Sequence, residues 1–408
     1  MEETKAYELI CEAEKDLCDL YKQIDENVLF NQKKVLDAFR ESEVALRHMQ
    51  GSSGYGYEDI GRPKLSEVFA KVMRAEDAYV SPLITCGTHA IFACLAGILR
   101  PNDLLLSISG APYDTLQECI HSEGIGSLKE FGISYDEVDL IGDEFNSDAI
   151  KEKLKKVNPK LILIQRSRGY SARQALSIEK IEEAIKVVRS VNKTAYIMVD
   201  NCYGEFVQTR EPLEVGADLI VGSLIKNPGG GLAPTGAYIA GKKNLVEMVA
   251  RRLTTPTLGS EVGSYNSSYT PFYQGLFFAP HVVGGALKGS ALIGRIAEKI
   301  GLKSFPASHE YPYDIIRSVT FDRAEDLIDV ARLVQKYSPV DSNVTPFPWA
   351  MPGYTSEVIM AAGTFIQGGS IELSCDAPIR DPYILYIQGG LTYEHVKLLA
   401  IEIVKYKA

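Results

Sequence analysis

An α/β fold with a mainly parallel sheet, followed by a smaller α+β domain, is predicted by three observations. Short apolar runs of strand length recur from about residue 76, helical stretches lie between them, and beyond about residue 285 the pattern changes. Strands that alternate with helices require crossover connections, and those cover both faces of a parallel sheet. A length of 408 residues suits two or three such domains.

Residues 5–24 and 31–49 carry apolar side chains at helical intervals, with a break near Asp25-Glu26-Asn27. The glycine-rich passage 51–57 ends the second helix, so residues 1–60 form an N-terminal helical arm. The runs 104–109, 161–165, 196–200, 219–223 and 237–240 read as buried strands of a large domain over 61–285. Among the intervening helices the clearest is 177–192, where Ile178, Ile181, Ile185 and Val188 share one face. Residues 286–408 form the small domain, with a proline-rich stretch over 344–354 and apolar runs at 358–362 and 384–387.

Composition narrows the function. Lys and Arg number 43 against 53 Asp and Glu, a formal charge of −10, which disfavours nucleic acid as the main partner. The acidic, amphipathic N-terminus lacks the features of a signal peptide, and no stretch approaches the ~20 continuous apolar residues of a membrane span. Seven scattered cysteines, without a CxxC pair or a Cys/His cluster of zinc spacing, point to a reducing cytoplasm and to no structural metal.

The densest chemical signal is the segment from Asp218 to Gly231, DLIVGSLIKNPGGG. Lys226 follows a buried strand, where loss of water disfavours the ammonium form and lowers its pKa. A neutral amine is what an aldehyde cofactor requires for imine formation. The plainer alternative is a lysine that runs out to solvent at a strand end. Upstream, the strand 196–200 ends in Asp200, a carboxylate that is costly to bury unless it meets a cation. A protonated pyridine ring nitrogen is one such cation, and a helix cap or a metal ligand are the alternatives. Gly87 and Thr88 open an apolar helix whose free N–H groups suit a phosphate, and Ser223 can add a hydroxyl to it. Tyr113, after the strand 104–109, could stack on a flat ring or sit exposed in a turn. The spacing 236–243 matches a phosphate-binding loop, but Lys243 replaces the hydroxyl residue and the interior is an apolar strand.

Together SGAPYDTL, VDNCYGEF, GSLIKNPGGG and MPGYTSEVIMAAGTFIQGGSIELS make the chain resemble the Cys/Met-metabolism class of fold-type-I pyridoxal-phosphate enzymes. More narrowly it is similar to the methionine gamma-lyase-like or aluminium-resistance group, over roughly residues 50–408. The resemblance implies the aspartate-aminotransferase-like fold, with a mainly parallel seven-stranded sheet in a pyridoxal-phosphate-binding large domain. It implies pyridoxal 5'-phosphate as cofactor, Lys226 as the Schiff-base lysine, Asp200 as partner of the ring nitrogen, and Tyr113 as stacking and proton-transfer residue. Gly87, Thr88 and Ser223 would meet the phosphate. Tyr57 matches a tyrosine lent to a neighbouring subunit, which implies a homodimer or homotetramer with active sites near the subunit interface.

Three departures concern the substrate side. Ile225 stands where these lyases carry Thr, the loop from Arg166 to Tyr170 lacks the asparagine that faces the ring hydroxyl, and Tyr386 occupies the position of the carboxylate-binding arginine. Arg380 is the candidate replacement, because a bidentate fork suits a carboxylate, and Arg173 is its rival. The expected activity is carbon–sulfur lysis of a sulfur amino acid, by β- or γ-elimination through a Lys226 aldimine. The alternatives are another pyridoxal-phosphate reaction (transamination, racemisation or aldol cleavage) and a non-catalytic stress-response role on the same scaffold.

Overall fold

The computed structural model describes residues 3–169, 173–350 and 356–407. Tyr170 and the start of the MPGYT motif at 351–355 lie outside the described residues. The chain opens with α1 (Glu3–Asp16) and α2 (Cys18–Glu41). The break therefore falls at Leu17 and not at residues 25–27. Asn27 and Asn31 stand one helical turn apart inside α2, and the Asn31 amide donates to the Asn27 carbonyl at 3.1 Å, so these polar residues serve the helix instead of ending it.

Along the chain then come α3 (Gly61–Val72), β1 (Asp77–Ser81), α4 (Gly87–Ile98), β2 (Leu104–Ser107), α5 (Asp114–His121) and β3 (Ser134–Glu137). Next are α6 (Ser147–Lys156), β4 (Leu161–Gln165), α7 (Ile178–Val191), β5 (Tyr196–Asp200), β6 (Leu219–Ser223), β7 (Ala237–Gly241) and α8 (Lys243–Leu253). The helix α9 (Thr270–Lys299) leads to β8 (Lys303–Phe305), β9 (Ile316–Phe321), α10 (Ala324–Lys336), β10 (Val358–Ala361), β11 (Ser374–Pro378), β12 (Tyr383–Gln388) and α11 (Tyr393–Lys407). Helix α7 starts where a hydroxyl can cap it, with Ser177 accepting from the Lys180 N–H at 3.3 Å.

Two compact units emerge, one of residues 32–277 and one that joins 1–31 to 278–408. The first is built on a seven-stranded sheet in the order β1-β7-β6-β5-β4-β2-β3. Strands β2 to β6 pair in parallel, whereas β7 runs antiparallel to both β6 and β1. The run at 237–240 is thus a strand of reversed direction, reached through a tight connection that needs no crossover helix. Its burial as β7 also disposes of the phosphate-loop spacing at 236–243. Period-two alternation puts Leu163, Met198, Leu219, Val221 and Ile239 on one face, in a core with Leu95 and Ile98 of α4 and Val249 of α8. Gln165, Asp200 and Ser223 continue that same alternation at the C-terminal ends of their strands.

The second unit carries a five-stranded antiparallel sheet in the order β10-β11-β12-β9-β8. Ala6, Ile10 and Ala13 of α1 pack into its core with Leu292, Val330, Leu385 and Leu399. Helix α9 is long and apolar enough to cross a membrane by length and composition, which corrects the reading that no stretch approaches such a span. Its sequence escapes notice because single polar residues interrupt it, and 72 % of its most apolar window is buried inside the protein.

Candidate active site

The strand β5 ends at Asp200 and β6 ends at Ser223, and the two strands are adjacent and parallel, with Asp200 opposite Val221. Their connection holds a short 3₁₀ turn at Pro212–Val215 and no α-helix. Beyond Ser223 the chain turns at once. The Lys226 N–H donates to the Ser223 carbonyl at 3.3 Å, and Asn227–Gly229 forms a 3₁₀ turn. The glycines make this turn possible. A Cβ on Gly229 would lie 1.7 Å from the Leu224 carbonyl oxygen, and Gly230 has a φ of +52°.

Lys226 is held inside. Its ammonium lies 4.7 Å from the centre of the Tyr203 ring. Burial alone would lower its pKa, as expected from the sequence, but Tyr203, Cys202 and Asp200 outweigh that and hold it above the ordinary lysine range. The expectation of a depressed pKa is therefore corrected: in the free protein this amine is a stabilised cation. Tyr203 reaches it from a left-handed backbone conformation, φ +66°, which a bulky residue adopts only when its surroundings enforce it.

Asp200 is buried, and burial pushes its carboxyl up, while the Cys202 amide and thiol and the Lys226 charge pull it back. The Cys202 N–H donates to it at 3.1 Å. Asp200 and Lys226 thus act on each other within one buried site.

The other two motifs arrive from α4 and α5. A Cβ on Gly87 would meet Ser223 Cβ at 3.5 Å and Cys202 Sγ at 3.7 Å, so the N-terminus of α4 sits against the ends of β5 and β6. Ser223 Oγ is buried there without a hydrogen-bond partner. The Tyr113 hydroxyl donates to Thr88 Oγ1 at 2.9 Å, and its backbone N–H donates to Gln165 Oε1 at 2.9 Å. Burial, and next the Asp200 charge, push the Tyr113 phenol above its ordinary range. His89 at the same helix start turns to its own loop, pairing through Nδ1 with Thr85 Oγ1 at 3.1 Å.

These residues fit pyridoxal phosphate. A buried hydroxyl without a partner lies beside a helix start, and the first N–H groups of a helix are suited to a phosphate. A carboxyl pushed up by burial suits a protonated ring nitrogen, and a buried amine shares its site.

The remaining expected residues are placed as follows. Tyr57 is 62 % exposed and stacks on Tyr55, with ring centres 5.5 Å apart. Arg380 belongs to the second unit, exposed in the turn after β11. Arg173 is buried beside the site strand β4, donating to the Gln165 carbonyl at 3.3 Å and the Ser167 carbonyl at 2.6 Å. Sequence reasoning missed Tyr203 and Gln165. Gln165 was marked by a polar residue ending the otherwise apolar LILIQ, and Tyr203 by its place in VDNCYGEF.

The chain is similar to known proteins over nearly its whole length. YnbB of Bacillus subtilis (strain 168), an uncharacterized protein, is 48 % identical over 392 residues, covering 95 % of this chain and 92 % of that protein. A crystal structure from Listeria monocytogenes, provisionally described as a cystathionine beta-lyase involved in aluminum resistance, matches with TM-score 0.96 at 48 % identity, covering 98 % of this chain and 100 % of that one. The pyridoxal-5'-phosphate dependent protein YhfS of Escherichia coli, at 17 % identity and TM-score 0.64, covers 94 % of this chain and 96 % of its own, a likeness of fold alone. That fold is type I of the pyridoxal-phosphate enzymes. The sequence profile of methionine gamma-lyase matches residues 6–407, and the chain belongs to the methionine gamma-lyase family.

Proposed function

We propose that the protein is a pyridoxal-phosphate-dependent carbon–sulfur lyase that acts on a sulfur amino acid. The observation that carries the reading is the convergence of Lys226, Asp200 and the partnerless Ser223 hydroxyl at one end of the sheet. The choice of lysis over other reactions follows the family and the lyase description of the Listeria monocytogenes relative.

When bound, pyridoxal phosphate supplies an aldehyde for an amine and an electron sink for the charge left at a substrate's α-carbon. Ser223 and the first turn of α4 would hold the phosphate end, and Asp200 would keep the ring nitrogen protonated. Lys226 Nζ would hold the cofactor's aldehyde carbon and, when free, would be the base for the substrate's α-proton. Tyr203, beside Nζ, receives or returns that proton. Tyr113, whose hydroxyl hydrogen-bonds Thr88 at the start of α4, would stack on the ring and could protonate the departing sulfur. Its raised pKa keeps it a proton donor at neutral pH. Arg380 is the proposed partner of the substrate carboxylate, with Arg173 as its competitor. Loss of substrate affinity confined to Arg380→Ala or to Arg173→Ala separates them. Tyr57, exposed and stacked outward, suits a contact with a second copy's phosphate site, which makes the working form at least a dimer.

Product analysis tests the reading. Incubation of the cofactor-loaded protein with cystathionine, methionine and cysteine is expected to release a thiol or hydrogen sulfide, a 2-oxo acid and ammonia. A requirement for an amino-group acceptor, with no sulfur product, would replace lysis by transamination.

A further inference from the structure

The face of the sheet opposite Ser223 carries a second buried polar cluster, directly behind the Lys226 turn. Gly222 and Tyr238 are register partners there, and a Cβ on Gly222 would lie 2.3 Å from Glu205 Oε1. Glu205 is fully buried. The Tyr238 hydroxyl donates to its Oε1 at 2.8 Å, but its Oε2 has no partner. The Asn227 amide donates to the Glu205 main-chain oxygen at 2.9 Å, and Asn227 Oδ1 is likewise buried without a partner. Residues joined by one hydrogen bond thus each present a buried acceptor and no donor. One proton on Glu205 supplies the missing donor, since a neutral carboxyl carries an O–H.

The charges around the cluster agree. The carboxyls of Glu205 and Glu211 share the region with the Arg166 guanidinium. Glu211 lies 3.8 Å from Arg166, accepts from the Asn201 amide at 2.9 Å and from the Phe206 N–H at 3.0 Å, and is the carboxyl equipped to be an anion. Arg166 donates to Asn201 Oδ1 at 2.9 Å and the Gly204 carbonyl at 2.8 Å. Lys34 of α2 acts on Glu211 and Glu214, and Cys202 feels the Glu205 charge from the site side. Burial pushes the Glu205 carboxyl up to about 8, with the Tyr238 hydroxyl and Arg166 opposing and Glu211 adding to the rise.

We infer that Glu205 is an uncharged acid in the folded protein, that its proton engages Asn227, and that it is a positioning residue for the Lys226 turn. Ionising Glu205 removes that donor and loosens residues 226–231. The inference stands on the geometry of the turn and does not depend on the reaction proposed above.

Infrared difference spectroscopy of the full-length protein, titrated through about 8, tests the proton itself. The carbonyl band of a protonated carboxylic acid is expected in the wild type on the acidic side. It should disappear with a midpoint near about 8 and be missing from Glu205→Gln. Hydrogen exchange, expressed as protection relative to the intrinsic base-catalysed rate at each pH, tests the positioning: amides of 226–231 should lose protection in the wild type once the band is lost, and keep it in Glu205→Gln, whose amide is permanently neutral. Should Glu205→Gln not fold, Tyr238→Phe decides, because removing the donor that favours the anion must move the midpoint upward. A wild type without the band, an unshifted midpoint in Tyr238→Phe, or protection at 226–231 that does not change with pH would overturn the inference.

Discussion

Ser223 is the residue whose chemistry is most exposed to test. Its hydroxyl is buried and lacks a partner, an arrangement that costs free energy until an acceptor such as a phosphate oxygen arrives. Ser223→Ala removes one hydrogen bond to a charged group, about 1.5–3 kcal/mol, so the dissociation constant for pyridoxal phosphate should rise roughly ten- to hundredfold. Spectral titration measures it, and an unchanged constant would remove Ser223 from the phosphate site. Tyr203 makes a second case. Because Tyr203, Cys202 and Asp200 hold the Lys226 ammonium above its usual range, the amine becomes neutral only at higher pH. Tyr203→Phe weakens that hold, so the pH profile of Lys226 modification in cofactor-free protein should move to lower pH. A profile that stays in place, or moves upward, contradicts the assignment. Asp200 and Ser223 were legible in the sequence because each is a polar residue closing an apolar strand, and Lys226 because it follows one directly before Asn-Pro and three glycines. The direction of the Lys226 shift was not, because its cause lies in side chains brought from the end of a different strand.

The turn after β6 acts as an element because its glycines leave no room for substitution. Gly229→Ala would drive a Cβ into the Leu224 carbonyl, and Gly275 packs against Gly229 from α9 just as closely. The variant should lose cofactor binding even if it folds, since the displaced backbone carries Lys226. Retention of full cofactor affinity would show that the turn tolerates rearrangement. Strands β4, β5 and β6 could be read from the sequence because they are buried on both faces and run apolar throughout. Strand β3 could not: SYDE sits at the sheet edge, where polar residues are tolerated, and β1 begins with Asp77 at the other edge. The reversed direction of β7 was equally hidden, since an apolar run carries no mark of its polarity.

At the scale of the whole molecule, the first helix and the last share one core. Ile10 is fully buried there, and Lys397 of α11 meets both oxygens of Glu14 in α1, at 2.8 and 2.9 Å. Ile10→Ala should cost about 2–5 kcal/mol, measurable by denaturant unfolding, whereas an arm lying free of the core would lose almost nothing. The larger claim concerns the other unit, where four separate stretches of sequence form one cofactor site around a single amine. Borohydride reduction of the protein loaded with pyridoxal phosphate, followed by peptide mapping, tests it most directly. The account predicts one stable adduct on Lys226, absent from Lys226→Ala. A protein whose spectrum ignores added pyridoxal phosphate, or an adduct spread over other lysines with Lys226 unmodified, would contradict it.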